Sequence, residues 1–507
     1  MAVLSYPGVY VNEIPGGVRT ITGVATSITA FVGRALRGPV DKAVTITSYT
    51  DFERTYGGLW IDSRLGYAVR DFYQQGGGVA VIVRVHEAKN ATTDTAAITV
   101  GTGALALALK ATSPGAWGAK LTAGVDVAVP TGSANSVFNL AVTDTGTGKV
   151  EVFRNVSYSA RHPRRADIVV GNESRLVAVT ALPTTTNKLV AVNGAATGGD
   201  DGKPITDANL TSASGMQAAK KGLYALEDAD LVNLIVVPPY NATDDISLPV
   251  LTAAIAYATQ RRAMVIADLP ASATSVAAAV TAASAPTFTH SRDAAMYFPR
   301  FRKPDPLRDG QIGTFPTAGA IAGVIARTDA TRGVWKAPAG LDATIDGVAA
   351  LSVPLSDLEI GQLNPLGVNC LSARPDAGHV VWGARTRDGA DRRASEWKYV
   401  PVRRTALFVE ESLYRGLQWV VFEPNDAPLW AQIRLNAGAF MNGLFRQGAF
   451  AGTSPRDAYF VKCDAETTTQ DDVNAGIVNI LVGFAPLKPA EFVVISLQQM
   501  AGQAGGA

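Results

Sequence analysis

Strand-like and helix-like segments alternate in two separate parts of this 507-residue sequence. In residues 28–87 the short strand "ITAFVG" precedes two helices, and the apolar strand "VAVIVRV" follows them. In residues 200–387 the strands "DLVNLIVVPP" and "RRAMVIADLP" are followed by helices over 246–260 and 272–284. Strands that alternate with helices are typical of a parallel sheet with helices on both faces. The sequence therefore predicts one doubly wound α/β domain, divided between 28–87 and 200–387.

Two of the predicted helices carry clear local signals. In "SYTDFERTYGG", Ser48 is a good N-cap and Gly57 a good C-terminal stop. The segment "PTAGAIAGVIARTDA" is rich in glycine and alanine, so a helix there is expected to pack closely against its neighbour.

Residues 88–199 separate the two α/β parts and differ from them in composition. Alanine, threonine, valine, glycine and serine dominate, and alternating runs such as "ALALALKA" and "SVFNLAV" lie between glycine and proline turns. This pattern is typical of short β-strands. It predicts a β-rich domain inserted into a surface loop of the α/β domain.

Residues 388–489 change character again and predict an α+β domain. The segment "RRTALFVEESLYRGLQWVV" has an apolar stripe that runs from Ala406 to Val420. A second helix begins after Asn425 or Asp426 and ends at Gly448. The strand candidates "AYFVKCD" and "GIVNILVGFAP" follow, and "EFVVISLQQ" starts a C-terminal arm over 490–507.

The segment "LSYPGVYVNEIPGG" near the start is strand-like but stands alone. Residues 1–27 contain no second strand with which it would pair, and a lone strand is unstable in water. An isolated strand satisfies its backbone groups by adding to the edge of another sheet. Pro7 and Pro15 restrict this pairing to the residues between them, because proline has no N–H donor. We therefore expect an N-terminal arm that pairs outside its own domain.

Residues able to carry catalysis or bind a metal are few. Four histidines occur, and no two stand at metal-ligand spacing: His86, His162, His290 and His379. The two cysteines, Cys370 and Cys463, are far apart, which argues against a disulfide framework or a zinc site. "TGTGKV" at 145–150 lacks two residues of a phosphate loop and is interpreted as a hairpin turn. The sequence predicts no enzyme, cofactor or metal site, although a Ser/His/Asp triad assembled in space stays open.

Charge and hydropathy argue against two classes of partner. With a net charge of +1, the protein has no overall positive field that would attract nucleic acid, although residues 154–165 are basic. No apolar run approaches the roughly 20 residues of a membrane helix, and no signal-peptide pattern is expected at the N-terminus. An arginine-rich region is interpreted either as a solvated linker or as an electrostatic contact between subunits: Arg385, Arg387, Arg392, Arg393, Arg403 and Arg404.

Several motifs, in this order, resemble those of contractile phage tail sheath proteins. They are "YPGVYVNEIP" at 6–15, "GGDDG" at 198–202, "VWGARTRD" at 381–388, "WKYVPVRR" at 397–404, "VEESLYRGLQWVVFEPNDAPLW" at 409–430 and "VGFAPLKPAEFVV" at 482–494. The last two are the most specific, and the resemblance extends over the chain except for 88–199. It implies a subtilisin-like central domain. This fold does not imply catalysis here, because protease motifs are missing.

The resemblance also implies which residues join subunits. In this family, N- and C-terminal strands pair with the C-terminal-domain sheet of neighbouring subunits. The donated residues here would be Val9, Tyr10, Val11, Asn12, Glu13, Ile14, Phe492, Val493, Val494 and Ile495. Candidates to face the inner tube are Arg434 and Arg446, for which simple solvation of the helix is the other interpretation.

The implied function is mechanical. The subunit would polymerise as stacked hexameric rings around a tail tube, in a metastable extended state. It would then contract to drive the tube through a bacterial envelope for genome delivery. The partners would be copies of itself and the tube, baseplate and tail terminator proteins. The location would be the virion, and the host cytoplasm during assembly.

Three other functions remain open at this stage. The chain could be the sheath of a phage-tail-like bacteriocin or another contractile injection particle. It could be a serine hydrolase on a subtilisin-like fold. It could also be a different self-assembling protein, such as a surface-layer or adhesin subunit, as the threonine- and alanine-rich residues 88–199 suggest.

Overall fold

The computed structural model describes residues 20–285, 290–492 and 494. These residues form two compact units. The larger unit contains residues 25–331 and 338–398, and the smaller contains residues 20–24, 332–337 and those from 399 onward.

The secondary structure is mixed. The strands are β1 Thr29–Gly33, β2 Ala43–Ile46, β3 Ala80–Arg84, β4 Ala97–Val100, β5 Leu107–Ala111, β6 Leu121–Asp126, β7 Val137–Asp144, β8 Lys149–Ser157, β9 Val177–Ala181, β10 Val192–Thr197, β11 Leu234–Val236, β12 Met264–Asp268, β13 Ala294–Phe298, β14 Phe301–Pro304, β15 Ile312–Phe315, β16 Ala350–Leu351, β17 Val368–Arg374, β18 Gly378–Val381, β19 Tyr459–Lys462 and β20 Leu481–Phe484. The helices are α1 Tyr49–Tyr56, α2 Leu65–Gln74, α3 Ala166–Glu173, α4 Leu248–Gln260, α5 Val276–Ser284, α6 Ala318–Arg332, α7 Asp357–Leu363, α8 Val400–Gly416, α9 Ala427–Arg446, α10 Pro455–Ala458 and α11 Gln470–Asn474.

An eight-stranded sheet forms the centre of the larger unit. Its order is β18-β17-β13-β12-β11-β1-β3-β2, and the six inner strands are parallel. The edge strands β2 and β18 pair in the antiparallel direction. The inner strands are apolar because both sheet faces are covered, as is usual for parallel sheets. A small sheet, β15-β14-β16, accompanies the large one.

Helices lie on both faces of the eight-stranded sheet. Buried residues of α4, α5 and α7 share one core with β1, β3, β11, β12, β13 and β17. On the other face, the ring of Phe72 in α2 meets the ring of Phe31 in β1 edge to face. Helix α6 packs against α2 through Gly323, where an added Cβ would lie 2.4 Å from the Phe72 carbonyl oxygen. The predicted close packing of this glycine- and alanine-rich helix is confirmed.

Residues 88–199 supply the seven-stranded antiparallel sheet β8-β7-β6-β10-β4-β5-β9. One face of this sheet and helix α3 enclose a separate apolar core. The segment "TGTGKV" is the turn of the β7–β8 hairpin, as predicted, with Asp144 paired to Lys149 across it.

The smaller unit is built on two long helices. Asp426 caps α9 by accepting a hydrogen bond from the Leu429 N–H at 3.0 Å, one of the two caps that the sequence allowed. The rings of Phe408 in α8 and Phe440 in α9 meet in the core of this unit, with centroids 6.1 Å apart. The Val24 N–H donates to Ser412 Oγ of α8 at 3.2 Å. The β19–β20 ribbon covers the remaining side of this core.

Two sequence-based predictions are wrong in detail. The helical stripe was expected to continue to Val420, but α8 ends at Gly416 and residues 418–420 form a short 3₁₀ turn. The arginine-rich region is not a solvated linker, because Arg385 is completely buried and donates to the Asn364 carbonyl oxygen at 2.9 Å. Arg387, Arg403 and Arg404 are also buried within the chain, whereas Arg392 and Arg393 are exposed.

The predicted mixture of α/β and α+β architecture is confirmed at this level of description. The domain boundaries predicted from composition, and the subtilisin-like layout that the resemblance implied, stay predictions.

Candidate strand-addition interface

The feature of the smaller unit best suited to bind another chain is the ribbon formed by β19 and β20. The two strands pair antiparallel over four residues each, with Tyr459 opposite Phe484 and Lys462 opposite Leu481. Helix α10 precedes β19, and Ala485, directly after β20, donates its N–H to the Ala458 carbonyl oxygen at 2.8 Å. A two-stranded ribbon is marginal by itself in water, so its packing against α9 stabilises it.

The side chains of the ribbon alternate between an inner and an outer face. Four inner side chains pack on a core that contains Met441 and Leu444 of α9 and Phe450, which follows α9. They are Tyr459, Val461, Val482 and Phe484. On the outer face, Phe460 lies over Gly483, its cross-strand partner, where an added Cβ would meet the ring at 2.3 Å. Phe460 and Leu481 stay 47% and 52% exposed, although both are large and apolar. An exposed apolar face beside an open strand edge is a typical protein contact surface.

Both long edges of the ribbon are open in the described part of the chain, where neither strand has a second partner. In antiparallel sheets, directly bonded pairs alternate with pairs whose N–H and C=O groups point outward. Because the Ala485 N–H bonds to the Ala458 carbonyl, this alternation points the backbone groups of Tyr459 and Val461 away from β20. It likewise points those of Val482 and Phe484 away from β19. The Tyr459 N–H already donates to the Pro455 carbonyl oxygen of α10, so the β19 edge presents one donor and two acceptors to an added strand. The β20 edge presents two donors and two acceptors.

A neighbouring loop extends the apolar surface. Residues 417–426 connect α8 to α9, and Asn425 Nδ2 donates to the Ile477 carbonyl oxygen at 2.9 Å, close to the start of β20. Phe422 in this loop is fully exposed and has φ +70°, in the left-handed region that non-glycine residues rarely adopt. An exposed aromatic held in an unfavourable conformation is typical of a binding surface.

The titratable side chains of the ribbon provide no reactive group. Burial raises the pKa of the Cys463 thiol, which follows β19, and also that of the Tyr459 phenol. Both groups are therefore neutral near pH 7. Lys462, on the outer face, supplies a positive charge beside Leu481.

Most of the predicted donor residues lie outside the described part of the chain. This holds for Val9, Tyr10, Val11, Asn12, Glu13, Ile14, Val493 and Ile495. Phe492 and Val494 are described, and both are largely exposed. Their part in joining subunits stays a prediction.

The two arginines predicted to face a tube differ in environment. Arg434 is half-buried and donates from Nη1 to the carbonyl oxygen of Cys463, which ties α9 to the end of β19. Arg446 is exposed in the last turn of α9. Arg446 is therefore the better placed of the two for a contact with another protein, and the contact itself stays a prediction.

The sequence predicts strands at both positions of the ribbon, but the predicted interface residues are donors and do not include those of the ribbon edges. The sequence does contain a signal for them. Side chains alternate between the two faces of a strand, so "YFVK" and "LVGF" place Phe460 and Leu481 on the face that is exposed to water.

Residues that could support catalysis or metal binding are dispersed. His86 Nε2 lies 3.2 Å from Asp94 Oδ2, and His290 Nδ1 lies 3.2 Å from the Arg387 carbonyl oxygen. Within the described residues, none of the four histidines is hydrogen-bonded to a serine or cysteine side chain. The same part of the chain contains no group of three or more metal-ligating side chains and no helix long and apolar enough to span a membrane.

Comparison with known proteins connects this architecture to one family. The family model for the phage tail sheath central domain matches residues 212–387, and that for the phage tail sheath C-terminal domain matches 393–499. Together they cover more than half of the chain, and the second contains the ribbon.

Individual proteins agree with this assignment. The tail sheath protein of Vibrio phage KVP40 is 27% identical over 185 residues, which are 36% of this chain and 26% of that protein. The tail sheath protein of Enterobacteria phage T4 is 26% identical over 155 residues, 30% of this chain and 22% of that protein. The chain thus matches about a quarter of the length of these two relatives.

A solved structure extends the likeness in fold. The anti-feeding prophage helical sheath in its contracted state has a TM-score of 0.61 and 21% identity, with 98% of this chain and 100% of that chain covered. Because this fold similarity includes residues 88–199, it extends beyond the regions matched by the family models.

Proposed function

The chain belongs to the phage tail sheath family, and we propose that it is the structural sheath subunit of a contractile tail. Subunits polymerise around an inner tube as stacked hexameric rings and are held in a metastable extended state. Contraction then drives the tube through a bacterial envelope for genome delivery. The observation that carries this proposal, beyond family membership, is the ribbon β19–β20, whose two edges are open in the described part of the chain.

Subunits are linked by strand addition at this ribbon. The donors are the strand-like segments near the two ends of the chain, within residues 1–20 and 490–500, and the acceptor is the ribbon of a neighbouring copy. Donor and acceptor are different surfaces, so the contact is heterologous and propagates into rings or helical filaments. Residues 16–27 and 388–398 absorb the change when subunits move as rigid bodies.

Contraction is driven by contacts between subunits. The extended polymer lacks contacts that the contracted polymer makes, and their formation supplies the free energy of the movement. The chain acts as a structural protein and not as an enzyme, and its central domain has a subtilisin-like layout without a protease site. Its other partners are the tube, baseplate and tail terminator proteins, and the tube contact includes Arg446.

A second candidate is the sheath of a tail-like bacteriocin or of another contractile particle that carries no genome. The likeness in fold to the anti-feeding prophage sheath favours this alternative. Both candidates give the subunit the same mechanical role. Electron microscopy of particles that contain this chain separates them, because a phage tail is attached to a capsid and a bacteriocin-like particle is not.

The test of self-assembly compares the full chain with a version that lacks residues 1–20, by negative-stain electron microscopy of the purified proteins. Tubes from the full chain, and monomers or isolated rings from the truncated chain, are expected. Tubes from both proteins would retain the sheath proposal but refute the N-terminal segment as an essential link. Monodisperse monomers from both, at high concentration, would overturn the proposal.

A further inference from the structure

A cleft separates the eight-stranded sheet from the seven-stranded sheet within the larger unit. It has a volume of about 560 Å³ and opens to solvent. Arg37, β2 and α1 form one wall, and Trp117, Lys149 and Arg175 form part of the other. Neither the strand-addition interface nor the proposed sheath function involves this cleft.

The two walls are held in place by hydrogen bonds at the base of the cleft. The Gly38 N–H donates to Ser113 Oγ at 2.9 Å. Buried Arg84 donates from Nη2 to the Pro114 carbonyl oxygen, also at 2.9 Å. The cleft is therefore formed before a ligand arrives, which lowers the cost of binding.

The charges that line the cleft are predominantly positive. Arg37 and Arg54 lie on one wall, Lys149 and Arg175 lie on the other, and Asp51 is the single carboxylate in the lining. Three of the cations have carboxylate partners. Arg54 pairs with Asp51, Lys149 with Glu151 at 2.8 Å, and Arg37 with Asp144 at 3.5 Å. The side chain of Arg175 makes no ion pair or hydrogen bond with any described residue.

The cleft also contains hydrogen-bond donors that no described residue satisfies. They are two buried side-chain N–H groups of the lining, Arg37 Nε and Trp117 Nε1. Arg175, which is exposed to solvent, adds up to five further N–H groups that a ligand could engage in place of water. Buried donors without acceptors are rare in native structures and are commonly satisfied by a ligand, ion or water. A ligand suited to this cleft must therefore supply acceptor atoms.

We propose that this cleft binds a small anion with two or more separated acidic groups, either phosphates or carboxylates. Cations on both walls favour a ligand with more than one acidic group, because separate groups can engage the cations of each wall. Such a ligand joins the two sheets of the larger unit. It would bind each copy of the chain whether or not strand addition occurs, so this proposal does not depend on the proposed function.

The test is isothermal titration calorimetry of the full chain with pyrophosphate, citrate and sulfate at low ionic strength. We expect pyrophosphate or citrate, or both, to bind about tenfold more tightly than sulfate, because two acidic groups engage both walls. Binding of pyrophosphate alone assigns a phosphate ligand, and binding of citrate alone a carboxylate. Binding of all three with equal affinity, or of none, would overturn the proposal.

Variants then locate the site. Arg175→Gln is expected to weaken binding about tenfold, the effect of one lost charge-assisted hydrogen bond. The matched control is Arg154→Gln, an exposed cation on β8 outside the cleft lining, which should leave the affinity unchanged. Equal effects of the two substitutions would indicate non-specific attraction and refute the site. Trp117→Phe removes one buried donor but keeps an aromatic ring, so it provides a second test if Arg175→Gln fails to fold.

Discussion

A proline in place of Val461 tests the strand-addition interface most directly. The outward edge of β19 presents the N–H and C=O groups of Val461 and the C=O group of Tyr459, whose N–H donates to the Pro455 carbonyl oxygen. An added strand can thus form three hydrogen bonds there, worth about 1 kcal/mol net each, or about 3 kcal/mol per link. Proline removes one N–H, and its ring obstructs an adjacent bond, so about 2 kcal/mol should be lost. The critical concentration for polymerisation should rise by about 30-fold.

The assay measures the critical concentration by sedimentation over a series of protein concentrations. Val461→Thr is the matched control, because threonine has nearly the same shape and keeps the N–H. The N–H of Val461 points away from β20, so Val461→Pro retains the bonds of the ribbon itself. Circular dichroism melting of both variants verifies this. Val482→Pro applies the same change to the edge of β20.

Neither edge of the ribbon accepts a strand if Val461→Pro and Val482→Pro both polymerise at the same critical concentration as Val461→Thr. The subunits would then be joined by other surfaces, such as the loop that exposes Phe422. An effect of one proline alone would assign a single acceptor edge.

Four further substitutions test the stability of the fold. Gly323→Ala should lower the free energy of unfolding by about 2 kcal/mol, because its Cβ would lie 2.4 Å from a carbonyl oxygen of α2. Gly438→Ala in α9, where an added Cβ would meet no described residue outside the adjacent turns of the helix, should instead stabilise by up to about 1 kcal/mol, as denaturant unfolding of both variants would show. Asn436 is 1% exposed, and both polar atoms of its amide lack partners among the described residues. Asn436→Leu should therefore raise the free energy of unfolding by about 1–3 kcal/mol in the same assay. Burial lowers the pKa of His86 below its ordinary 6.5. As the pH drops below about 6.5, the unfolded chain therefore binds a proton more readily than the folded chain, and stability should fall. His86→Gln should flatten that part of a plot of urea midpoint against pH.

Features set by neighbouring residues in the sequence were predictable. Ser48 accepts a hydrogen bond from the Asp51 N–H, and Gly57 ends α1 with φ +91°, as the residue types indicated. The β7–β8 turn and the packing of the glycines of α6 belong to the same class. In each case the deciding interaction involves residues a few positions apart or a requirement that only glycine meets.

Burial of charged groups was not predictable, because it depends on distant parts of the chain. Six arginines close together suggest a solvated segment, since arginine is rarely buried without partners. Arg385 instead reaches the Asn364 carbonyl, and Arg387 reaches the Leu366 carbonyl. Both acceptors become available only when residues 364–366, after α7, fold next to these arginines. No pattern within "VWGARTRDG" contains that information.

The strand-addition interface was predictable only in part, because the sequence indicates the donor strands but not the open edges of the ribbon. The number of these edges determines how many strands each subunit can accept. The sequence predicts two strands that leave the subunit, and the described ribbon has two open edges. If each edge accepts one strand, every subunit donates as many strands as it accepts, and no interior edge of the polymer is left unpaired. Subunits with one acceptor edge would instead leave half of the donors without partners. A balanced number permits a continuous network in which each subunit is linked to several neighbours, and such a network can change its geometry while its links remain closed.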